Sequence, residues 1–315
     1  MQADKGKKPF LEAALLVLLG FLWGIPYALN KVSLATIPPM TGVAARVSLA
    51  AIALWIIVFM SKCEVPSRRG FISRVFVQGI IGCLIPYTFI AIGQRSVDSA
   101  LAAILNATTP LFVCFLSLVW MRYEPLTVGR LFGVSIGLVG VIVLAGTSAL
   151  LGLGQSAYGQ AAIVLASVAA AAGVIHGRRF NDVAPEITAA GTLTSTAVVL
   201  VPLSFVVESP LQSAPSVASI AALLVNALVA TALGFVVYFR LIRTIGSMST
   251  ASVGYLKLAV GVLVGCTLMG ESLTWTMATG LLTILLGVVA INQQQPAWVP
   301  SWVATKFAMP VTRFS

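Results

Sequence analysis

The side chains of this chain that could do chemistry at depth are few, and the charged ones among them are positive. Lys257 stands about ten residues, roughly 15 Å at 1.5 Å per residue, inside an apolar run. That is too deep for comfortable snorkelling, and a lysine at the centre of a membrane helix costs about 2.5–3.5 kcal/mol on insertion scales. All nine acidic residues (Asp4, Glu12, Glu64, Asp98, Glu124, Asp182, Glu186, Glu208 and Glu271) fall in loops or at the ends of apolar runs. No carboxylate shares the depth of Lys257, so it is expected to face a watered cavity, where it could hold an anionic group. The other reading is a tolerated substitution. Arg46 lies some six residues inside its run and is expected to snorkel to the interface, to hold helix ends or to attract anions. His176, the single histidine, sits near the end of another run, either as a gating or proton-relay group or as a plain interfacial residue.

Uncharged polar groups complete the inventory. Gln78, Asn106, Ser195, Thr196 and Asn226 lie inside apolar runs, where facing lipid is costly, so they are expected to face other helices. Some of them bond neighbours, worth about 0.6 kcal/mol on average, and others contact a bound molecule. Trp23, Tyr27, Tyr87, Tyr238 and Tyr255 offer apolar faces with polar tips, suited to packing, to interfacial anchoring or to an apolar ligand.

Several function classes are excluded by the same inventory. An enzyme site needs a nucleophile with a base, or a metal cluster, and one histidine without an acid at bilayer depth supplies neither. Cys63, Cys83, Cys114 and Cys266 are far apart, with no CxxC or Cys/His spacing, and read as reduced thiols. No cofactor is expected. No G-x-x-x-x-G-K-[ST] loop is present, so the chain does not itself drive a pump with ATP. The net charge of +10 is scattered singly through loops, with no basic stripe of the kind that binds nucleic acid.

These groups must be positioned by elements that live in lipid. Of 315 residues, 59% are hydrophobic and 9% charged, and mean hydropathy is +1.02. A soluble domain carries about 25% charged residues, so there is too little charge here to coat a globular surface. A hydrocarbon core of about 30 Å needs about 20 helical residues. Ten runs of that order emerge, at approximately 10–29, 40–60, 71–92, 98–120, 127–145, 158–177, 187–207, 216–239, 247–269 and 273–292. Tight hairpins are expected at Tyr123-Glu124-Pro125-Leu126-Thr127 and at Gly270-Glu271-Ser272-Leu273-Thr274, where Pro and Thr suit a helix start and Glu favours its positive end.

Lys and Arg resist translocation. With the N-terminus inside, the inner segments collect Lys5, Lys7, Lys8, Lys62, Arg68, Arg69, Arg74, Arg122, Arg130, Arg178, Arg179, Arg240, Arg243, Lys306 and Arg313, and the outer loops keep only Lys31 and Arg95. Both termini are therefore expected in the cytoplasm. The chain also repeats. The single displacement that carries Glu124-Pro125-Leu126-Thr127 onto Glu271-Ser272-Leu273-Thr274 also carries Ala14 onto Ala161, Pro38 onto Pro185, Ser48 onto Ser195, Gly133 onto Gly280 and Gly140 onto Gly287. Five helices per half is an odd number, so the halves enter the membrane from opposite sides. The expected fold is all-α integral membrane: ten transmembrane helices as two inverted five-helix repeats, residues 1–147 and 148–294, with a cytoplasmic tail at 295–315. Glycines four residues apart, Gly20/Gly24, Gly129/Gly133/Gly137 and Gly261/Gly265, allow close helix crossings, within the chain first and across a homodimer second.

Trp23-Gly24, Lys31, Pro38-Pro39 and Arg46, followed by the Glu124 and Glu271 hairpins, resemble the EamA family of the drug/metabolite transporter superfamily, over roughly residues 10–292. The resemblance implies a bacterial inner-membrane carrier of two five-helix repeats that exports amino acids or related metabolites, as YddG-like aromatic amino-acid exporters do. Where relatives of that family carry a proline in the ninth helix, this sequence reads Leu256-Lys257-Leu258, while Pro110 occupies the matching place in the first half. A substrate-binding set of Trp23, Tyr27, Gln78, Tyr87, Asn106, Ser195, Asn226, Tyr238, Tyr255 and Lys257 is expected, with Arg46 and His176 as gating or charge residues. Partners are a small-molecule substrate and the bilayer, for a monomer or homodimer. Export of nucleosides or other drug-like metabolites, or a channel-like protein, are the alternative readings.

Overall fold

The computed structural model of the chain describes residues 7–62, 65–66, 70–117, 132–133, 135–137, 139–140, 143, 155–210, 214–251 and 253–292. Among them every regular element is a helix. In chain order the helices are α1 (Lys7–Gly24), α2 (Pro26–Ser33), α3 (Pro39–Met60), α4 (Phe71–Gly79), α5 (Ile85–Gly93), α6 (Ser99–Asn106) and α7 (Thr109–Leu116). They continue with α8 (Gln155–Gly177), α9 (Pro185–Glu208), α10 (Val217–Val225), α11 (Gly234–Ala251), α12 (Val253–Leu268) and α13 (Trp275–Asn292). Seven stretches are long and apolar enough to cross a membrane: Leu11–Ser33, Pro39–Met60, Phe71–Gly93, Ser99–Leu116, Ala157–Phe180, Pro185–Glu208 and Val217–Gly246. Two shorter apolar helices follow, Leu256–Leu268 and Trp275–Gly287. The expected run at 127–145 lies mostly outside the described residues, and the Glu124 hairpin lies wholly outside them.

Nine of the ten expected runs thus coincide with helices, but several are not simple rods. The first breaks at Ile25, ahead of Pro26. The third winds through a π segment, Ile80–Leu84, just ahead of Pro86 in the first turn of α5. Proline has no N–H and its ring presses on the carbonyl of residue i−4; a locally wider turn relieves that contact. The fourth is interrupted at Ala107–Thr108 ahead of Pro110, where the Thr108 and Thr109 hydroxyls donate at 2.7 Å to the Leu105 and Asn106 carbonyls. The eighth is longer than expected, ending at Gly246 instead of 239. Gly246 has φ 83° and ψ 168°, a conformation open to glycine, and it marks where the chain leaves one helix for the next.

Packing is tight where side chains are small. The most extensive contacts run α3 against α9, α5 against α8, α1 against α12 and α6 against α12. A Cβ placed on Gly173 would lie 2.5 Å from Gly82 Cα, and one on Gly24 would lie 2.8 Å from the Lys257 carbonyl. The glycine pairs expected to allow close crossings do so here within the chain: Gly20 and Gly24 face α12, Gly261 and Gly265 face α6, and Gly137 abuts Leu111 and Gly287. Many large apolar side chains remain exposed, among them Phe21, Ile52, Phe205, Val206 and Leu286, as on a surface solvated by lipid.

Candidate functional site

Helix interruptions supply the parts of a cavity between the helices. Its volume is about 100 Å³, and its lining includes Trp23, Pro26, Tyr27, Asn30, Arg46, Pro86, Tyr87, Asn106, Thr109, Phe235, Tyr238, Thr250 and Lys257. Pro26 and Pro86 belong to the breaks in the first and third helices, and Asn106 and Thr109 flank the break in the fourth.

Both deep cations face this space. Lys257 is 8% exposed and its Nζ donates to Asn106 Oδ1 at 2.5 Å. That same oxygen accepts from the Tyr27 hydroxyl at 3.0 Å, and Asn106 Nδ2 donates to Ser167 Oγ at 3.1 Å. Arg46 is 4% exposed. Its Nε donates to Thr231 Oγ1 at 2.6 Å, and its guanidinium carbon lies 4.1 Å from the centre of the Tyr87 ring, within cation–π range. Thr231 is placed to accept by a second π segment, Asn226–Leu233, in which its hydroxyl donates to the Asn226 carbonyl at 2.8 Å. Arg46 therefore does not snorkel, because Tyr87 and Thr231 hold its head within the bundle.

One wall is aromatic. Trp23 lies 4.9 Å from Tyr238 and 5.9 Å from Phe235, and Phe235 lies 6.3 Å from Tyr87. The Trp23 indole nitrogen is buried and has no hydrogen-bond partner among the described residues. No carboxylate lines the cavity among those residues, and no group of His, Cys, Asp or Glu there could hold a metal ion.

Trp23, Tyr27, Arg46, Tyr87, Asn106, Tyr238 and Lys257 are thus brought together, and Gln78, His176, Ser195 and Asn226 are not. Gln78 Oε1 accepts from His176 Nδ1 at 2.9 Å, and Gln78 Nε2 donates to the Gly173 carbonyl at 3.2 Å, so both are spent on joining two helices. His176 lines a separate cavity of about 500 Å³ with Arg74 and Arg179. Ser195 donates to the Gly191 carbonyl one turn back, at 2.9 Å, and Thr196 to the Gly79 carbonyl at 2.9 Å; both serve the packing of α9. Asn226 stands outside the lining and donates to Asn30 Oδ1 at 2.8 Å. The side chain of Tyr255 lies outside the described residues.

Sequence reasoning missed Asn30, whose amide donates to Gln94 Oε1 at 2.9 Å, and Gln94, which donates to the Tyr27 carbonyl at 2.9 Å. Each falls just outside an expected apolar run, 10–29 or 71–92, and beside a loop cation, Lys31 or Arg95. Glu271 corrects another expectation. Its carboxylate accepts from the backbone N–H groups of Ser99 and Ala100 at 2.9 and 2.7 Å, capping the start of α6 and not of its own following helix. Glu208 does likewise for α3, accepting from Met40 N at 3.0 Å and Thr41 N at 2.7 Å. A carboxylate at a helix N-terminus satisfies orphan donors and the positive end of the dipole together.

Comparison with known proteins agrees with a membrane transporter. The chain is 26% identical over 276 residues to the uncharacterized inner membrane transporter YedA of Escherichia coli K12, covering 87% of this chain and 88% of that one. It is 26% identical over 281 residues to an uncharacterized transporter of Archaeoglobus fulgidus, covering 87% and 95%, and 25% identical over 270 residues to the transporter YoaV of Bacillus subtilis, covering 85% and 91%. A solved crystal structure shares the fold, with a TM-score of 0.65 at 18% identity over 89% of this chain and 96% of that one. The model of the EamA-like transporter family matches residues 11–146 and again residues 157–293. The chain, a multi-pass membrane protein with a transporter's relatives along most of its length, belongs to the EamA-like transporter family.

Proposed function

We propose that the protein is an alternating-access carrier of small metabolites that bear a carboxylate on an apolar or aromatic body, with amino acids as the leading class. The observation that carries this reading is the shared cavity: two buried cations and a wall of aromatic rings face one space between the helices. A cation in low dielectric attracts a carboxylate strongly, and ring faces accept an apolar side chain without a hydrogen-bonding demand. The YddG-like character implied by the sequence resemblance fits the aromatic wall.

The proposed architecture is ten helices in two inverted halves, 1–147 and 148–294, with a tail at 295–315 and both ends cytoplasmic. Two observations support it. The family match falls on the chain twice, and the most extensive helix pairings are carried onto one another when the halves are exchanged. On the ten-run numbering, second packs on seventh and fourth on ninth, while third on sixth is mirrored by eighth on first, and first on ninth by sixth on fourth. Two such halves give two conformations of similar energy that open to opposite faces.

The experiment is a competition screen in proteoliposomes. Uptake of labelled phenylalanine should saturate and be inhibited by unlabelled amino acids with apolar side chains, and by their amides far less. Uptake that rises linearly with concentration, or that amides inhibit as well as acids do, contradicts the reading.

A further inference from the structure

The amide oxygens that line the cavity are already engaged, and its cationic donors are not spent. Asn106 Oδ1 receives both the Tyr27 hydroxyl and Lys257 Nζ. Asn30 Oδ1 receives Asn226 Nδ2. On the donor side, Lys257 Nζ has one amide acceptor for three N–H groups, and the Trp23 indole N–H has no partner among the described residues. The Arg46 Nε is bonded to Thr231, and its guanidinium adds further donors.

An amino acid brings two charges into this space. Its carboxylate meets two cations; its ammonium meets the same two cations, no carboxylate and amide oxygens already engaged. A like charge held in low dielectric is repelled, and a buried ammonium that meets hydroxyl oxygens but no anion recovers little of its lost hydration. The geometry points to a substrate that crosses as a net organic anion: an aryl or branched-alkyl carboxylate whose neighbouring position carries an acceptor, as in a 2-oxo acid, in place of an ammonium. This rests on the carrier reading above and narrows its substrate class.

The test uses the full-length protein in proteoliposomes and three compounds with one ring and nearly one skeleton: phenylpyruvate (net −1), phenylalanine (zwitterion) and phenethylamine (net +1). Each competes for uptake of labelled phenylalanine. The expected half-inhibiting concentration of phenylpyruvate is about tenfold or more below that of phenylalanine, the scale of one well-placed buried charge interaction, and phenethylamine inhibits least. Lys257→Met should narrow the phenylpyruvate-to-phenylalanine ratio to about twofold, as expected for loss of one of the two cations; the wild-type ratio stands as a test even if that variant fails to fold. Saturable phenylalanine uptake that phenylpyruvate inhibits no better than phenylalanine does overturns the inference and leaves the carrier reading standing. Absence of saturable uptake of labelled phenylalanine and of labelled phenylpyruvate alike removes the carrier reading, and the inference with it.

Discussion

Lys257 and Asn106 are 151 positions apart, in the two halves of the chain, and meet through a 2.5 Å hydrogen bond at the cavity wall. The amide neutralises nothing, so the positive charge of Lys257 stays available to a bound group. Asn106→Asp changes that with one atom: a carboxylate beside Lys257 makes an ion pair and competes with the substrate's own. Inhibition of uptake by carboxylate compounds should weaken by about tenfold or more, while the thermal midpoint in detergent is kept. Asn106→Leu removes the acceptor and leaves the ammonium without it, with a cost to stability of about 1.5–3 kcal/mol, read as a lowered midpoint. Unchanged inhibition in Asn106→Asp would show that the pair does not face the substrate.

Glu271 holds the start of α6 through the Ser99 and Ala100 amides. Glu271→Ala should lower stability by about 1–2 kcal/mol, the range for loss of a cap with its dipole interaction, and Glu271→Gln by less, since an amide oxygen still accepts. Thermal unfolding in detergent measures both. An alanine variant with the wild-type midpoint would mean that water serves these amides equally well.

The helical fold was legible because lipid imposes a single rule, an apolar run of about 20 residues, and the cavity cations were legible because charge at such depth is costly. What the cations touch was not. Thr231 reaches Arg46 from a π segment with no proline in it, and a wider turn of that kind leaves no mark on hydrophobic periodicity. Ser195 and Gln78 look like Asn106 in sequence, polar residues deep in apolar runs, yet Ser195 bonds back one turn within its own helix and Gln78 bonds a neighbouring one. Only the packing distinguishes a group that lines a space from one that closes a gap. Glu271 was placed at the right hairpin and matched to the wrong helix, because sequence neighbourhood favours the local N-terminus while the fold brings a distant one closer.

Gly173 and Gly82 form a backbone-to-backbone contact between α8 and the third helix. A Cβ on Gly173 would sit 2.5 Å from Gly82 Cα and 3.1 Å from its nitrogen, and backbone cannot swing aside as a side chain does. Gly173→Val should cost about 3 kcal/mol or more by overpacking and sharply reduce the monodisperse fraction on size-exclusion chromatography. Wild-type yield and profile would contradict this packing.

Orientation is checked by cysteine labelling in intact cells, on a background with Cys63, Cys83, Cys114 and Cys266 replaced. Arg68→Cys and Arg178→Cys should resist a membrane-impermeant maleimide until the cells are opened, and Arg95→Cys should react from outside, because positive segments stay cytoplasmic. Labelling of positions 68 or 178 from outside would reverse the proposed topology.

The central claim is that one cavity is exposed to each side in turn, and counterflow tests it most directly. In proteoliposomes loaded with unlabelled phenylalanine, external labelled phenylalanine should accumulate transiently above its equilibrium level, saturate with concentration, and do so in the presence of a protonophore, since no carboxylate lines the cavity among the described residues. Labelled phenylalanine that only equilibrates, at a rate indifferent to the load and proportional to concentration, would contradict alternating access and describe a channel instead.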